Sequence, residues 1–308
     1  MPDKLSYVYD AASALFIGHR DEQQDAVSKD FVSAAGLGFA VLADGMGGHA
    51  AGDVASRIVV NEVFRRIKAL AAHPLTLEDD LEHALLEALS DANACLETVA
   101  KTRPELEGMG STLIAPVVTE NRLYWISVGD SPLYLLRGSQ LYRLNENHSV
   151  AGVLDILVSE GEIEANVARQ HPERHLLTSV MNGSSIEHID CRQTPFVLEA
   201  GDMVIAASDG LQSIGDTDIA RIAYDMRDST AQKITDTLVQ AVKDHNDPDQ
   251  DNVSMCVFKV MTERMPLASE GENSAIVPDF AKPTDNDINE PDTSIMNVLY
   301  RRANGGRL

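Results

Sequence analysis

The sequence predicts an α+β fold, and the spacing of its apolar residues carries that prediction. Short runs rich in Val and Leu, bounded by glycine or by Asp-Gly pairs, recur at 39–43, 113–118, 123–128, 133–136, 141–144, 204–207 and 253–258, which is how strands joined by tight turns are written. Residues 53–70 and 77–101 instead place apolar side chains at three- and four-residue steps, the period of helices with one buried face.

Taken in order, residues 6–18 alternate loosely and read as one or two strands. A charged loop follows, His19 to Asp25, in which Arg20 is a lone cation among acids and amides. Phe39 to Ala43 is a buried strand that emerges at Asp44, and Gly45-Met46-Gly47-Gly48-His49 is a turn whose glycines let the backbone bend around that carboxylate. The first helix carries Val54, Ile58, Val63, Phe64 and Ile67 on one face, with Asp53 suited to its start. The second is capped by Thr76, with Asp79 three residues on, and Leu81, Leu85, Ala88, Ala92, Cys95, Leu96 and Val99 form a core stripe. From Leu113 to Leu144 the short strands and turns read as an antiparallel meander.

Between Asn147 and about His188 the chain turns polar and only intermittently helical, and His148, His171, His175 and His188 lack the spacing of metal ligands. A segment this long inside a domain is functional or mobile. Strands resume at 196–198 and 204–207, short helices at 216–226 and 230–243, and a last strand at 253–258. The domain is expected to span 1–262, with a flap at about 147–188. Residues 263–308 form an acidic tail too poor in apolar residues to fold, with a short helix at 293–303.

With 308 residues, 44% hydrophobic and 24% charged, the chain can bury a sizeable core. A net charge of −23 argues against nucleic-acid or anionic-membrane partners. Three widely spaced cysteines, Cys95, Cys191 and Cys256, offer no disulfide framework and point to a reducing, cytoplasmic setting. No signal-peptide pattern or bilayer-length apolar run occurs, so a soluble monomer without a membrane partner is expected.

The chemistry lies in acids at strand ends. Asp44-Gly45 closes one apolar run, Asp209-Gly210 closes another, Asp251-Asn252 opens the last, Asp25 follows the charged loop, and Asp130 stands beside Gly129. Carboxylates brought together resist ionising unless a cation joins them, and all-oxygen donors suit Mg2+ or Mn2+. Alternating Asp247, Asp249 and Asp251 do not make a calcium loop, because Asn252 and Phe258 stand where glycine and a bidentate Glu are required.

The ordered set Arg20 with Gln24-Asp25, Asp44-Gly45-Met46-Gly47-Gly48-His49, Gly110-Ser111-Thr112, Gly129-Asp130-Ser131, His148-Ser149, His171-Pro172, Ser208-Asp209-Gly210 and Asp251-Asn252 resembles the metal-dependent serine/threonine protein phosphatases of the protein phosphatase 2C family, in their bacterial form. The resemblance runs from about residue 8 to 260. It implies a four-layer αββα sandwich of two antiparallel sheets flanked by helices. It also implies two Mn2+ or Mg2+ ions: Asp44 bridging them, Asp209 and Asp251 on the first, the Gly45 carbonyl on the second, and Asp25 acting there through water. Asp130, with Asp209, would hold a third, weaker ion, and Arg20 would bind the phosphate. Arg20, Asp44, Asp209 and Asp251 would then be the catalytic set.

The implied reaction is hydrolysis of phosphoserine and phosphothreonine by a metal-bridged hydroxide without a phosphoenzyme, with a serine/threonine kinase and its targets as partners. The alternative on the same fold is a non-catalytic phosphoprotein-binding regulator, which the intact acids disfavour. Against the family pattern, Met46 replaces the histidine of animal members, Pro132 and Ser179 replace arginines, and Asn147 replaces an aspartate. The expected consequence is a loosened flap and an altered choice of protein substrate.

Overall fold

The computed structural model describes residues 5–32, 37–48, 51–71 and 77–264. The expected tail helix at 293–303 lies outside the described residues, as do Thr76 and His49. In chain order the elements are β1 (Leu5–Phe16), β2 (Asp25–Val32), β3 (Leu37–Met46), α1 (Ala51–Ala71), α2 (Leu77–Thr102), β4 (Gly110–Ser111), β5 (Leu113–Thr119), β6 (Arg122–Val128), β7 (Leu133–Arg137), β8 (Gln140–Arg143), α3 (Val150–Ser159), α4 (Ala165–Arg169), β9 (Asp190–Cys191), β10 (Phe196–Val197), β11 (Met203–Ala207), α5 (Gly215–Asp225), α6 (Ala231–His245) and β12 (Val253–Arg264).

The strands make two antiparallel sheets. The first has the order β1-β12-β11-β7-β8; the second has the order β10-β6-β5-β3-β2, with β4 added to β3 and β9 to β6. Successive side chains of a strand point to opposite faces, and here both faces are apolar. On β3, Phe39, Val41 and Ala43 pack with α1 and α2 residues such as Val59, Val63, Leu85 and Leu96, while Leu42 joins Ile114, Leu133, Val204 and Phe258. On β11, Ile205 and Ala207 pack with Ile219, Ile234 and Leu238 of α5 and α6, while Val204 and Ala206 face inward. Three cores thus separate four layers: helices, sheet, sheet, helices.

Three sequence expectations change, and a fourth, for the first strand, is narrowed. Residues 5–16 form one strand, paired along its whole length with β12, whose register puts Leu5 opposite Arg264; the strand therefore takes in the first two residues assigned to the tail. β2 was not expected: its Lys29 and Asp30 break the apolar run, which an edge strand tolerates, while Val27 and Phe31 still pack between the sheets. β3 does not stop before Asp44 but continues through Met46, because Gly45 and Met46 pair with Ser111 and Gly110. The meander is divided, since β5–β6 belong to the second sheet and β7–β8 to the first, so the chain crosses between sheets at Gly129–Pro132. Gly129 has φ of +99°, and a Cβ there would meet the Thr112 side chain at 2.7 Å, so only glycine fits the crossing. No helix among the described residues is long and apolar enough to cross a membrane.

Candidate active site

The two sheets end together at one cavity of about 880 Å3, lined by Arg20, Asp44, Gly45, Asp130, Asp209 and Asp251, with Gln24, Thr112, His175, Leu176 and Asn252 among the other residues on its wall. Asp25 does not line it; 4% exposed, it stands behind the wall with Oδ2 accepting from Ser208 Oγ at 2.6 Å. The structure therefore gathers the acids that the sequence scattered from Asp25 to Asp251, and puts Asp25 one layer back.

Each acid is placed by its element. Asp44 sits inside β3, directly opposite Asp25 on β2, a like-charge pairing that a sheet ordinarily avoids. Its backbone is held from β5's side: the Asp44 N–H donates to Thr112 Oγ1 at 2.9 Å, and its carbonyl accepts from the Thr112 N–H at 2.9 Å and Ser111 Oγ at 3.0 Å. Gly45 meets α1 at backbone distance, since a Cβ on it would lie 2.0 Å from the Gly52 carbonyl oxygen. Any side chain there would push the helix off the strand. Asp209 opens a 3-10 helix directly after β11, and Asp251 precedes β12.

Two amides that sequence reasoning left without a role fasten these ends together. Asn252 accepts from the Gln24 N–H at 2.7 Å and donates to the Ile17 and Glu22 carbonyls at 2.8 and 3.0 Å, fixing the loop that carries Arg20. Gln250 donates to the Gly210 and Asp251 carbonyls, each at 3.0 Å. Their only sequence signal is their position beside Asp251, because their partners come from remote segments. Arg20 itself donates to Asp251 Oδ2 at 2.8 Å across a half-exposed pair.

Burial and mutual repulsion push the carboxyls up. Asp25 rises to about 7, mainly through burial, with the Ser208 hydrogen bond opposing the shift and Asp209 and Asp251 adding to it. Asp130 also reaches about 7 through burial and then Asp209, against the pull of Arg143. Asp44 is raised strongly by burial and by Asp25, Asp209, Asp130 and Asp251, and Asp209 by burial and Asp251. Carboxylates held this way are stabilised by protons or by cations.

No group of three or more His, Cys, Asp or Glu side chains among the described residues is already closed into an ion-binding cluster. Asp251 is turned toward Arg20 and the Asn252 N–H, and Asp25 toward Ser208. The donor set still fits a hard divalent cation: it is all oxygen, and Asp25 Oδ1 and Asp209 Oδ1 are buried with no hydrogen-bond partner. A second cavity of about 950 Å3 adjoins the first, sharing Asp130, His175 and Asp209, and adding Arg143 and His148 to its walls.

Residues 17–250 match the family model described as Protein phosphatase 2C. The serine/threonine protein phosphatase PstP of Mycobacterium tuberculosis is 37% identical over 183 residues, which are 58% of this chain and 32% of PstP, so the chain matches only about a third of that relative's length. The serine/threonine phosphatase stp of Listeria monocytogenes is 32% identical over 174 residues, 56% of this chain and 66% of stp. Among solved structures, the M. tuberculosis serine/threonine phosphatase PstP/Ppp aligns with a TM-score of 0.69 at 29% identity, covering 82% of this chain and 99% of that one. The catalytic domain of PstP in complex with two manganese ions aligns with a TM-score of 0.63 at 30% identity, covering 84% and 100%.

Proposed function

The chain belongs to the protein phosphatase 2C family, and on that premise we propose that it is a divalent-cation-dependent protein serine/threonine phosphatase, acting on phosphoserine and phosphothreonine. The observation that carries the reading is the convergence of Asp44, Asp130, Asp209 and Asp251 with Arg20 on one cavity, backed by Asp25. Asp44, Asp209, Asp251 and the Gly45 carbonyl would hold two Mn2+ or Mg2+ ions, with Asp25 acting at one remove and Asp130 with Asp209 holding a third, weaker one. Bound there, the ions would acidify a water and offset the charge of the phosphoryl group.

The chain's own residues supply binding and orientation. Arg20 has N–H groups beyond the one given to Asp251, and its planar fork suits phosphoryl oxygens. Asp44 is held rigidly by Thr112 and Ser111, so its carboxylate is aimed before anything binds. A thiol nucleophile finds no support: none of the cysteines lines the cavity, and burial pushes the Cys191 and Cys256 thiols up to about 12. The partners that fit are phosphoproteins, including a serine/threonine kinase and its targets, in the reducing cytoplasm suited to free cysteines.

The test is hydrolysis of p-nitrophenyl phosphate and of a phosphothreonine peptide across a Mn2+ titration. Activity should appear with the ion and vanish in Asp44→Ala and Asp209→Ala. A folded wild-type protein inert at every Mn2+ concentration sinks the proposal.

A further inference from the structure

Asp130 is the one cavity acid carried on a sheet-to-sheet crossing, and the ladders of neither sheet hold it. Residues 129–133 leave β6 in the second sheet and enter β7 in the first. Beside the Ala207 N–H, which donates to the Pro132 carbonyl at 3.1 Å, the crossing is held by Arg143 at the end of β8 and by the residues that follow it. Arg143 Nη2 donates to the Asp130 carbonyl at 2.7 Å. Asn145 donates through Nδ2 to the Ser131 carbonyl at 3.0 Å and accepts the Leu133 N–H at 2.8 Å. His148 accepts the Gly129 N–H on Nδ1 at 3.2 Å, and its own backbone N–H donates to the Gly129 carbonyl at 3.0 Å.

An Nδ1 that accepts leaves the imidazole proton on Nε2, which faces Glu146 Oε2 at 3.4 Å. Asn145 and His148 are 5% and 4% exposed, so these bonds are shielded from water. The grip also reaches the neighbouring acid, because Ser131 Oγ lies 2.9 Å from Thr112 Oγ1, which takes the Asp44 N–H.

We propose that Arg143, Asn145 and His148 are positioning residues for Asp130: they clamp the backbone of residues 129–133 from outside and so aim its carboxylate into the cavity. The proposal rests on the phosphatase reading for its link to turnover, but not for its link to cation binding. Groups that orient a metal ligand without touching the metal are worth roughly 10- to 100-fold in affinity or activity. Removing one clamp while sparing Asp130 should therefore weaken cation binding there and leave the ions at Asp44, Asp209 and Asp251 in place.

The experiment uses the full chain and reads Mn2+ binding by calorimetry, kcat and KM on a phosphothreonine peptide, and Tm. Arg143→Ala, Arg143→Lys, Asn145→Ala, His148→Ala and His148→Asn are made in the wild type and in Asp130→Asn. In the wild type, Arg143→Ala, Asn145→Ala and His148→Ala should weaken the lowest-affinity class of Mn2+ sites about 10-fold and lower kcat with little change in KM. Arg143→Lys and His148→Asn, which keep a donor and an acceptor, should recover much of the loss. In Asp130→Asn the same substitutions should change binding and kcat less than about twofold, since coupled residues do not add.

Equal losses in both backgrounds would show a merely structural role and overturn the proposal. So would folded alanine variants of the clamp whose Mn2+ binding is unchanged. If buried Asn145→Ala fails to fold, the Arg143 and His148 variants decide alone. A wild type that binds Mn2+ but never hydrolyses phosphothreonine dismisses the phosphatase reading, and the calorimetry still decides the clamp.

Discussion

The acid floor and the segment from 147 to 188, which we propose is a flap over it, are built in opposite ways. The floor stands at the ends of paired strands, with Ala40, Leu42 and Ala43 wholly buried beside Asp44 and side chains such as Thr112, Ser208 and Asn252 tying the acids to remote segments. The flap from 147 to 188 holds the short helices α3 and α4 and leaves large apolar side chains in water: Val153 at 49% exposure, Ile156 at 59%, Val167 at 53% and Leu176 at 45%. Dense burial gives the floor the stability that precise charge placement needs, whereas the flap's sparse packing makes it the place for recognition and motion. The floor also works against its own stability, because like charges are crowded in it, while the flap strains nothing.

The largest expected effect breaks the floor. Asp44→Asn should lower kcat/KM toward a phosphothreonine peptide by on the order of 10³-fold or more. It should also raise the Tm of the metal-free protein at neutral pH, because it removes a carboxyl whose ionisation is opposed by burial and by Asp25, Asp130, Asp209 and Asp251. A Tm that falls would show that Asp44 serves the fold and not the site. Next, Arg20→Ala should cost about 100-fold in kcat/KM, with Arg20→Lys restoring a part of it, since a lysine cannot present a fork.

The third prediction follows from titration. Asp25 and Asp130 have folded values near 7 against an ordinary 3.8, so the folded state holds their protons more tightly than the unfolded chain does. The stability this brings is full below the unfolded value and is lost as pH rises through about 7. The metal-free protein should melt about 10 °C lower at pH 8 than at pH 5.5, equivalent to ~4 kcal/mol from the two groups together for a domain of this size. Mn2+ should close the gap, and Asp130→Asn should narrow it. A melting point flat across this range would show the carboxyls to be already neutralised. The smallest effect belongs to the flap: Ile156→Ser with Val167→Ser should slow a phosphoprotein substrate about threefold, the worth of ~30 Å2 of apolar contact, and leave p-nitrophenyl phosphate unchanged. Equal slowing of both would place the flap in the chemistry.

Much of the floor was legible because its acids adjoin strand-like runs: Asp44 and Asp209 each precede a glycine, and Asp251 lies just before β12. What was not legible lay in pairing. Strands buried on both faces show no alternation, so nothing in 113–144 says that β5–β6 and β7–β8 enter different sheets. β2 was hidden because an edge strand carries Lys29 and Asp30 without penalty. Asn145, Gln250 and Asn252 were unreadable as parts of the site for another reason. A single amide announces nothing until the chain has brought a carbonyl to it, and for Asn252 that partner is Ile17, at the far end of the sequence.

The pairing of β1 with β12, and of β12 with β11, has a consequence for the chain during its synthesis. A nascent polypeptide still short of residue 253 has no strand to set between β1 and β11, and Arg20 has no Asp251 to meet. The ribosome must therefore deliver almost the whole domain before the cavity exists, and contacts this distant in sequence form slowly. A phosphatase of the kind proposed, wired in this way, would stay silent while it is being translated, and could not strip phosphate from its neighbours before the domain is finished.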